Sequence, residues 1–201
     1  MPGMRFLHRL LLIRPILFLF ILPELFSTFR VLNQRADNFW RVTKYDPKLR
    51  DENGAYQGDD WIMWQEIGKT FNGKKFTLED YLDMESRYVE AAMAFLADSG
   101  VDKLTAYDVV TGEPSERIVA LGLHQQITLK NRQSVTPEQI PTLLRAMLRE
   151  DIGCSFAAPR KFTLSVGWDY YMYISCHTPA KNAVAKAEAL GLYVEPLDPL
   201  E

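Results

Sequence analysis

The sequence predicts an α+β domain, a mainly antiparallel sheet packed with three helices, preceded by an apolar N-terminal helix. Three observations lead there. Residues 78–96 carry an apolar stripe at helical spacing, whereas Phe162, Leu164 and Val166 alternate with Thr163 and Ser165 at the two-residue period of a half-buried strand. Helices and strands also follow one another without the regular βαβ alternation that a parallel sheet requires. With 201 residues and 47% hydrophobic side chains, the chain is long enough for one well-buried core. We therefore divide it into an apolar, basic segment at 1–36, read as an anchor or an extension, and a single domain at 37–201.

Residues 4–29 are apolar on nearly all sides. A spanning helix needs about 20 apolar residues, and here nine uncharged residues separate Arg14 from Glu24, with Pro15 and Pro23 among them. The segment also has the layout of a signal peptide, but no pair of small residues marks a cleavage site, so a retained anchor is the better reading. Its alternatives are a helix docked on the body and an incidental extension.

Through the body the elements follow in order. Residues 45–60 contain Pro47, Gly54 and Gly58 and read as a loop. Trp61, Trp64 and Ile67 recur near helical spacing, and Phe71-Asn72-Gly73-Lys74 reads as a turn. Thr77 and Asp80 form a capping-box pattern that opens the clearest helix, which Gly100 closes. Residues 103–110 predict a strand, 111–114 a turn and 126–130 another short strand. Thr136-Pro137 caps a helix running to about residue 151, with Pro141 either costing one backbone bond or marking the true start. From Cys154 the pattern is that of strands. Gly167 then precedes an aromatic strand, as a hairpin or a bulged continuation, and Thr178-Pro179 opens a third helix, closed by Gly191 before a strand at 192–195.

The net charge of −3 is a sum of unlike parts. Residues 1–50 carry 9 basic and 3 acidic side chains, a net of +6, and residues 51–201 carry 14 and 23, a net of −9. An acidic body repels phosphate backbones, so nucleic acid is a disfavoured partner, while a basic protein is favoured. Cys154 and Cys176 are too few for a disulfide scaffold and lack CxxC spacing; they could bond only if neighbouring strands brought them together.

No catalytic signature survives inspection. Gly68-Lys69-Thr70 ends like a phosphate-binding loop, but Met63 stands where the first glycine belongs, and Thr163 likewise breaks a nucleophile elbow at Ser165. His8, His124 and His177 form no metal-binding spacing, and neither a metal nor a cofactor is predicted. The thiol of Cys176 and the ring of His177 point to opposite faces of a strand and cannot activate one another.

The densest recognition chemistry is the run Gly167-Trp168-Asp169-Tyr170-Tyr171-Met172-Tyr173-Ile174. As a strand it puts Trp168, Tyr170, Met172 and Ile174 on one side, which we assign to the core, and Asp169, Tyr171 and Tyr173 on the other. Tyrosine combines contact area with a hydrogen-bonding tip and is a common interface anchor. Glu79 and Asp83, one turn apart on the first body helix, form a second candidate surface for a basic partner, against the plainer reading of a solvated helix face. The predicted binding residues are thus Asp169, Tyr171, Tyr173, Glu79 and Asp83.

From about Phe39 to the end, the chain resembles an uncharacterised bacterial family of small soluble proteins. The resemblance is carried by Val42-Thr43-Lys44-Tyr45-Asp46-Pro47, Asp51-Glu52-Asn53-Gly54-Ala55-Tyr56, Ile67-Gly68-Lys69-Thr70-Phe71-Asn72-Gly73, Met147-Leu148-Arg149-Glu150 and residues 167–173. It departs from that pattern at Gly153-Cys154-Ser155 and leaves residues 1–36 outside. It implies a protein that folds and binds, of the immunity or inhibitor kind found beside bacterial toxins. With no catalytic motif, we expect a non-catalytic binding protein in the cytoplasm, or one held at a membrane through the N-terminal segment. The alternatives from the residues themselves are an enzyme using Asp169, the tyrosines and His124, and a membrane-tethered accessory domain.

Overall fold

The computed structural model describes residues 37–167 and 169–197; the predicted N-terminal helix and Trp168 lie outside them. The α+β expectation holds: seven strands form one antiparallel sheet in the order β5-β4-β6-β7-β8-β1-β9. The strands are β1 (Asn38–Thr43), β4 (Leu104–Thr111), β5 (Ser134–Val135), β6 (Ile152–Ala158), β7 (Phe162–Val166), β8 (Met172–Cys176) and β9 (Tyr193–Pro196). A separate two-stranded hairpin pairs β2 (Thr70–Phe71) with β3 (Lys74–Lys75) around the predicted turn.

Three longer helices, α1 (Leu78–Ser99), α3 (Ile140–Leu148) and α4 (Lys181–Ala189), cover one sheet face, and a short α2 (Glu116–Ala120) lies between β4 and β5 in the chain. The contacts identify the covered face. Phe95 of α1 packs on Trp40 of β1, ring centroids 5.2 Å apart, and Met147 Sδ of α3 lies 3.6 Å from Cys154 Sγ of β6. In register with Trp40 across the sheet stand Ile174, Leu164 and Phe156, all fully buried, so this face is the core.

Local chemistry sets the helix ends. Thr77 accepts from Asp80 N while the Asp80 carboxylate accepts from Thr77 N, closing the predicted capping box, and Gly100 at φ 63° takes the left-handed C-cap. Thr77→Ala is expected to lower stability by about 1 kcal/mol, read as a reduced urea midpoint at unchanged m-value. At α4 the cap comes from elsewhere: Ala180 at φ 43° has no side chain to offer, and Asp98 of α1 accepts from Ala183 N at 3.0 Å.

Several expectations are corrected. The tryptophan spacing at 61–67 yields only a 3-10 turn, Trp64–Glu66, since Trp61 and Trp64 bury into the core independently. The predicted strand at 126–130 does not form; β4 pairs instead with Ser134–Val135. Pro141 sits in the first turn of α3, which starts at Ile140 after a 3-10 turn at Pro137–Gln139, so no helical bond is lost. The helix ends at Leu148, short of residue 151, because Glu150 adopts φ 63°. The aromatic run is not one strand. Gly167 N donates to Tyr171 O at 2.8 Å, closing a turn, and β8 begins at Met172.

The cysteines are free and cannot meet. Strand β7 separates β6 from β8, and Cys176 aligns with Phe162, whose β6 partner Ala158 lies four residues from Cys154. Among the described residues no helix is long and apolar enough to cross a membrane.

Candidate recognition face

The turn at 167–171 preserves the two-sided alternation while bending the chain. Tyr170, at φ 62°, drives its ring into the core, where its hydroxyl lies within hydrogen-bond distance of Tyr81 Oη at 2.9 Å and of Leu148 O at 3.1 Å. Tyr171 and Tyr173 emerge half-buried on the face turned away from the helices, with Asp169 beside them. Gly167 permits the close approach: a Cβ there would stand 2.8 Å from Asp169 Oδ1 and 3.5 Å from the Tyr173 ring.

Two arginines complete the site. Arg41 of β1 lies opposite both Tyr173 and Glu195 in the strand register. Its guanidinium donates to Glu195 through Nε (3.2 Å) and Nη2 (2.8 Å), while Cζ stands 4.9 Å from the Tyr171 ring centre. Arg50, from the loop after β1, donates from Nη2 to the same carboxylate at 2.9 Å and from Nη1 to Tyr171 Oη at 3.1 Å, with Cζ 5.2 Å from that ring. Arg50 Nε is buried with no acceptor among the described residues. Tyr171 is thus fixed by two cations, by the edge of Tyr45 at 5.6 Å and by Tyr173 at 6.4 Å. Burial, then the neighbouring Asp169 charge, pushes the Tyr173 hydroxyl up to about 12, and burial also raises the Asp169 carboxyl.

The predicted site residues therefore fall into two groups. Asp169, Tyr171 and Tyr173 share the outer sheet face, while Glu79 and Asp83 are exposed on α1, across the sheet. The outer face is not acidic, since Arg41 and Arg50 balance Glu195 and Asp169. Several of the acidic side chains of 51–100 are paired. Asp80 binds Lys74 at 2.7 Å, Asp83 binds Arg87 at 2.6 Å and Glu90 binds Lys186 at 3.1 Å. Hydrogen bonds from Lys74 and Thr77 hold the Asp80 carboxyl down at about 2.

Sequence reasoning did not single out Arg41, Arg50 or Glu195. The alternation of Phe39 and Arg41 with Trp40 and Val42 was the available signal for β1 and for the outward direction of Arg41. It also missed Lys44, whose ammonium lies 2.6 Å from Asp60 and about equally near two rings, 4.2 Å from Tyr45 and 4.1 Å from Trp61. Burial lowers this amine to about 8, against the opposing pull of Asp60. Because the folded chain then holds its proton less tightly than the unfolded chain, the stability associated with Lys44 is full above the unfolded value near 10.5 and is lost as pH falls through about 8. Stability relative to a Lys44→Met variant should accordingly rise between pH 8 and 10.5, a trend that paired urea titrations would read.

His124 belongs to another place. Its Nδ1 lies 3.0 Å from Asp151 Oδ1, while Asp151 Oδ2 accepts from Gln125 N at 3.0 Å, which orients the imidazole. Two surface clefts, of about 380 and 230 Å3, are lined by Asp83, Arg87, Glu90 and Leu190 and by Val101, Lys103, Ala158 and Lys161; neither contains Asp169, Tyr171, Tyr173 or His124. Among the described residues no group of three or more His, Cys, Asp or Glu side chains is placed to hold a metal ion. Comparisons of the chain with family models, curated proteins and solved structures return no match.

Proposed function

We propose that this is a non-catalytic protein-binding domain whose contact surface is the outer sheet face around Tyr171 and Tyr173. The observation that carries the reading is the fixing of Tyr171 by Arg41 and Arg50. Tyrosine and arginine dominate the energetics of many interfaces, and a side chain held in place before binding loses little entropy on contact. The net of −9 over residues 51–201 favours a basic partner at long range, with the balanced face making the contact. An immunity or inhibitor protein acting on a basic bacterial toxin is the form of this function that best combines the charge with the absence of a catalytic motif.

Affinity capture from the native host, repeated with Tyr171→Ala and Tyr173→Ala, tests it. Each substitution is expected to weaken the captured complex by about tenfold or more, or about 1.4 kcal/mol. Equal capture by both variants would remove this face from the interface. Strengthening of the complex with added salt would instead rule out a basic partner.

A further inference from the structure

The outer face has a second half. Beside the tyrosines, the row Ala157, Thr163, Ser175 runs across β6, β7 and β8, and Ser155 and Ser165 follow one row along. These small side chains form a shallow trough. It is walled by Tyr107, opposite Ser155, and by Phe39 and Tyr173, opposite Ser175 and Ser165.

Exposed trough residues should be wet, yet Ala157 and Ser175 are 0% exposed, and Ser155 and Thr163 only 2%. The three long helices lie on the opposite face and do not account for this burial. The row is also chemically ready to be dry. Thr163 Oγ1 and Ser175 Oγ bond to one another at 2.7 Å, so each hydroxyl oxygen keeps a partner under an apolar cover.

We propose that this trough is the docking site of the chain's own apolar segment, residues 4–29. Seventeen of those 26 residues are aliphatic, aromatic or methionine, and the large side chains among them complement the small ones lining the trough. Across β6, β7 and β8 the trough is about 10 Å wide between outer strand axes, which matches the diameter of a helix. The chain enters the body at the right place: Asn38 opens β1 directly opposite Cys176, next to the buried row, with its side chain bonded to Cys176 O and Thr178 O at 3.2 and 3.0 Å. Residues 30–36 can reach about 23 Å when extended, more than the width of the trough. A bilayer is the competing destination, but nine uncharged residues between Arg14 and Glu24 fall well short of a span.

The test uses the full chain carrying Ser175→Cys, with the unsubstituted chain as baseline for the two buried native thiols. Docking predicts that the new thiol reacts with a soluble maleimide about a hundredfold more slowly than a free cysteine, and that Leu19→Asp with Phe20→Asp speeds it by at least about tenfold. Fast labelling of the parent, or no acceleration by the two aspartates, would overturn the proposal. Labelling that stays slow on adding phosphatidylcholine and phosphatidylglycerol vesicles would support the trough over a bilayer as the destination of the segment. If the aspartate variant does not fold, single cysteines placed in turn over residues 16–22 in the Ser175→Cys background give the same answer. Disulfide crosslinking at positions a helical turn apart supports docking, and crosslinking at none of them overturns it. The readout is labelling at residue 175 and not partner capture, so its failure is distinct from that of the binding function.

Discussion

Arg149→Ala is expected to lower folding stability by about 3 kcal/mol, the low end of the usual cost of breaking a buried ion pair, because it removes the two close donors of a buried carboxylate. Glu85 on α1 has a side chain only 1% exposed and Arg149, just past α3, one 9% exposed; they meet through Nε to Oε1 at 2.6 Å and Nη2 to Oε2 at 2.7 Å. The remaining nitrogen, Nη1, donates to Leu123 O at 2.7 Å, so one guanidinium ties α1, the end of α3 and the segment after α2 together. Arg145 Nε already stands 3.7 Å from Glu85 Oε2 and offsets part of the loss. Urea unfolding would measure the loss, and a change below about 1 kcal/mol would mean the pair is better solvated than its burial implies. The double variant Glu85→Met with Arg149→Met should recover most of the loss, because a buried pair stabilises little relative to apolar groups that fill the same space. The double variant should nevertheless leave residues 121–125 less protected from hydrogen exchange, since Leu123 O has lost its donor.

This network shows which features of the fold were legible and which were not. Helix α1 could be read because everything that defines it is local: Thr77 and Asp80 at one end, Gly100 at the other and an apolar stripe between. The β7 alternation and the α4–β9 connection are local in the same sense. Strand β1 was not read, although Asn38–Thr43 alternates, because a six-residue signal acquires meaning only from its neighbours β8 and β9, more than 120 residues later. Part of the candidate site was illegible for the same reason. Tyr171 and Tyr173 were visible as a tyrosine-rich stretch, but the arginines that fix Tyr171 come from residues 41 and 50, and the carboxylate they share comes from residue 195. Charge counting could not show the pairing either, since Asp80, Asp83, Glu85 and Glu90 of α1 each have a basic partner in space.

The tyrosine run offers the sharpest separation between packing and recognition, because two adjacent residues have opposite surroundings. Tyr170→Ala should cost about 3–5 kcal/mol, the usual range for emptying a large buried aromatic site. Its ring lies 5.3 Å from Trp61 and 5.6 Å from Tyr88, and its carbonyl accepts from Tyr88 Oη at 2.7 Å. Tyr170→Phe keeps the ring and removes only the hydroxyl shared with Tyr81 and Leu148 O, so it should cost about 1–2 kcal/mol. Tyr171→Ala, from a half-buried position, should cost about 1 kcal/mol, leaving the domain folded and fit for binding measurements. Thermal and urea unfolding of the three variants would establish the order. If Tyr171→Ala proved as costly as Tyr170→Ala, the Tyr171 ring with Arg41 and Arg50 would belong to the structural core of the domain. A lost interaction in that variant would then report unfolding, and only substitutions that spare the ring, such as Tyr171→Phe, could test the face for recognition.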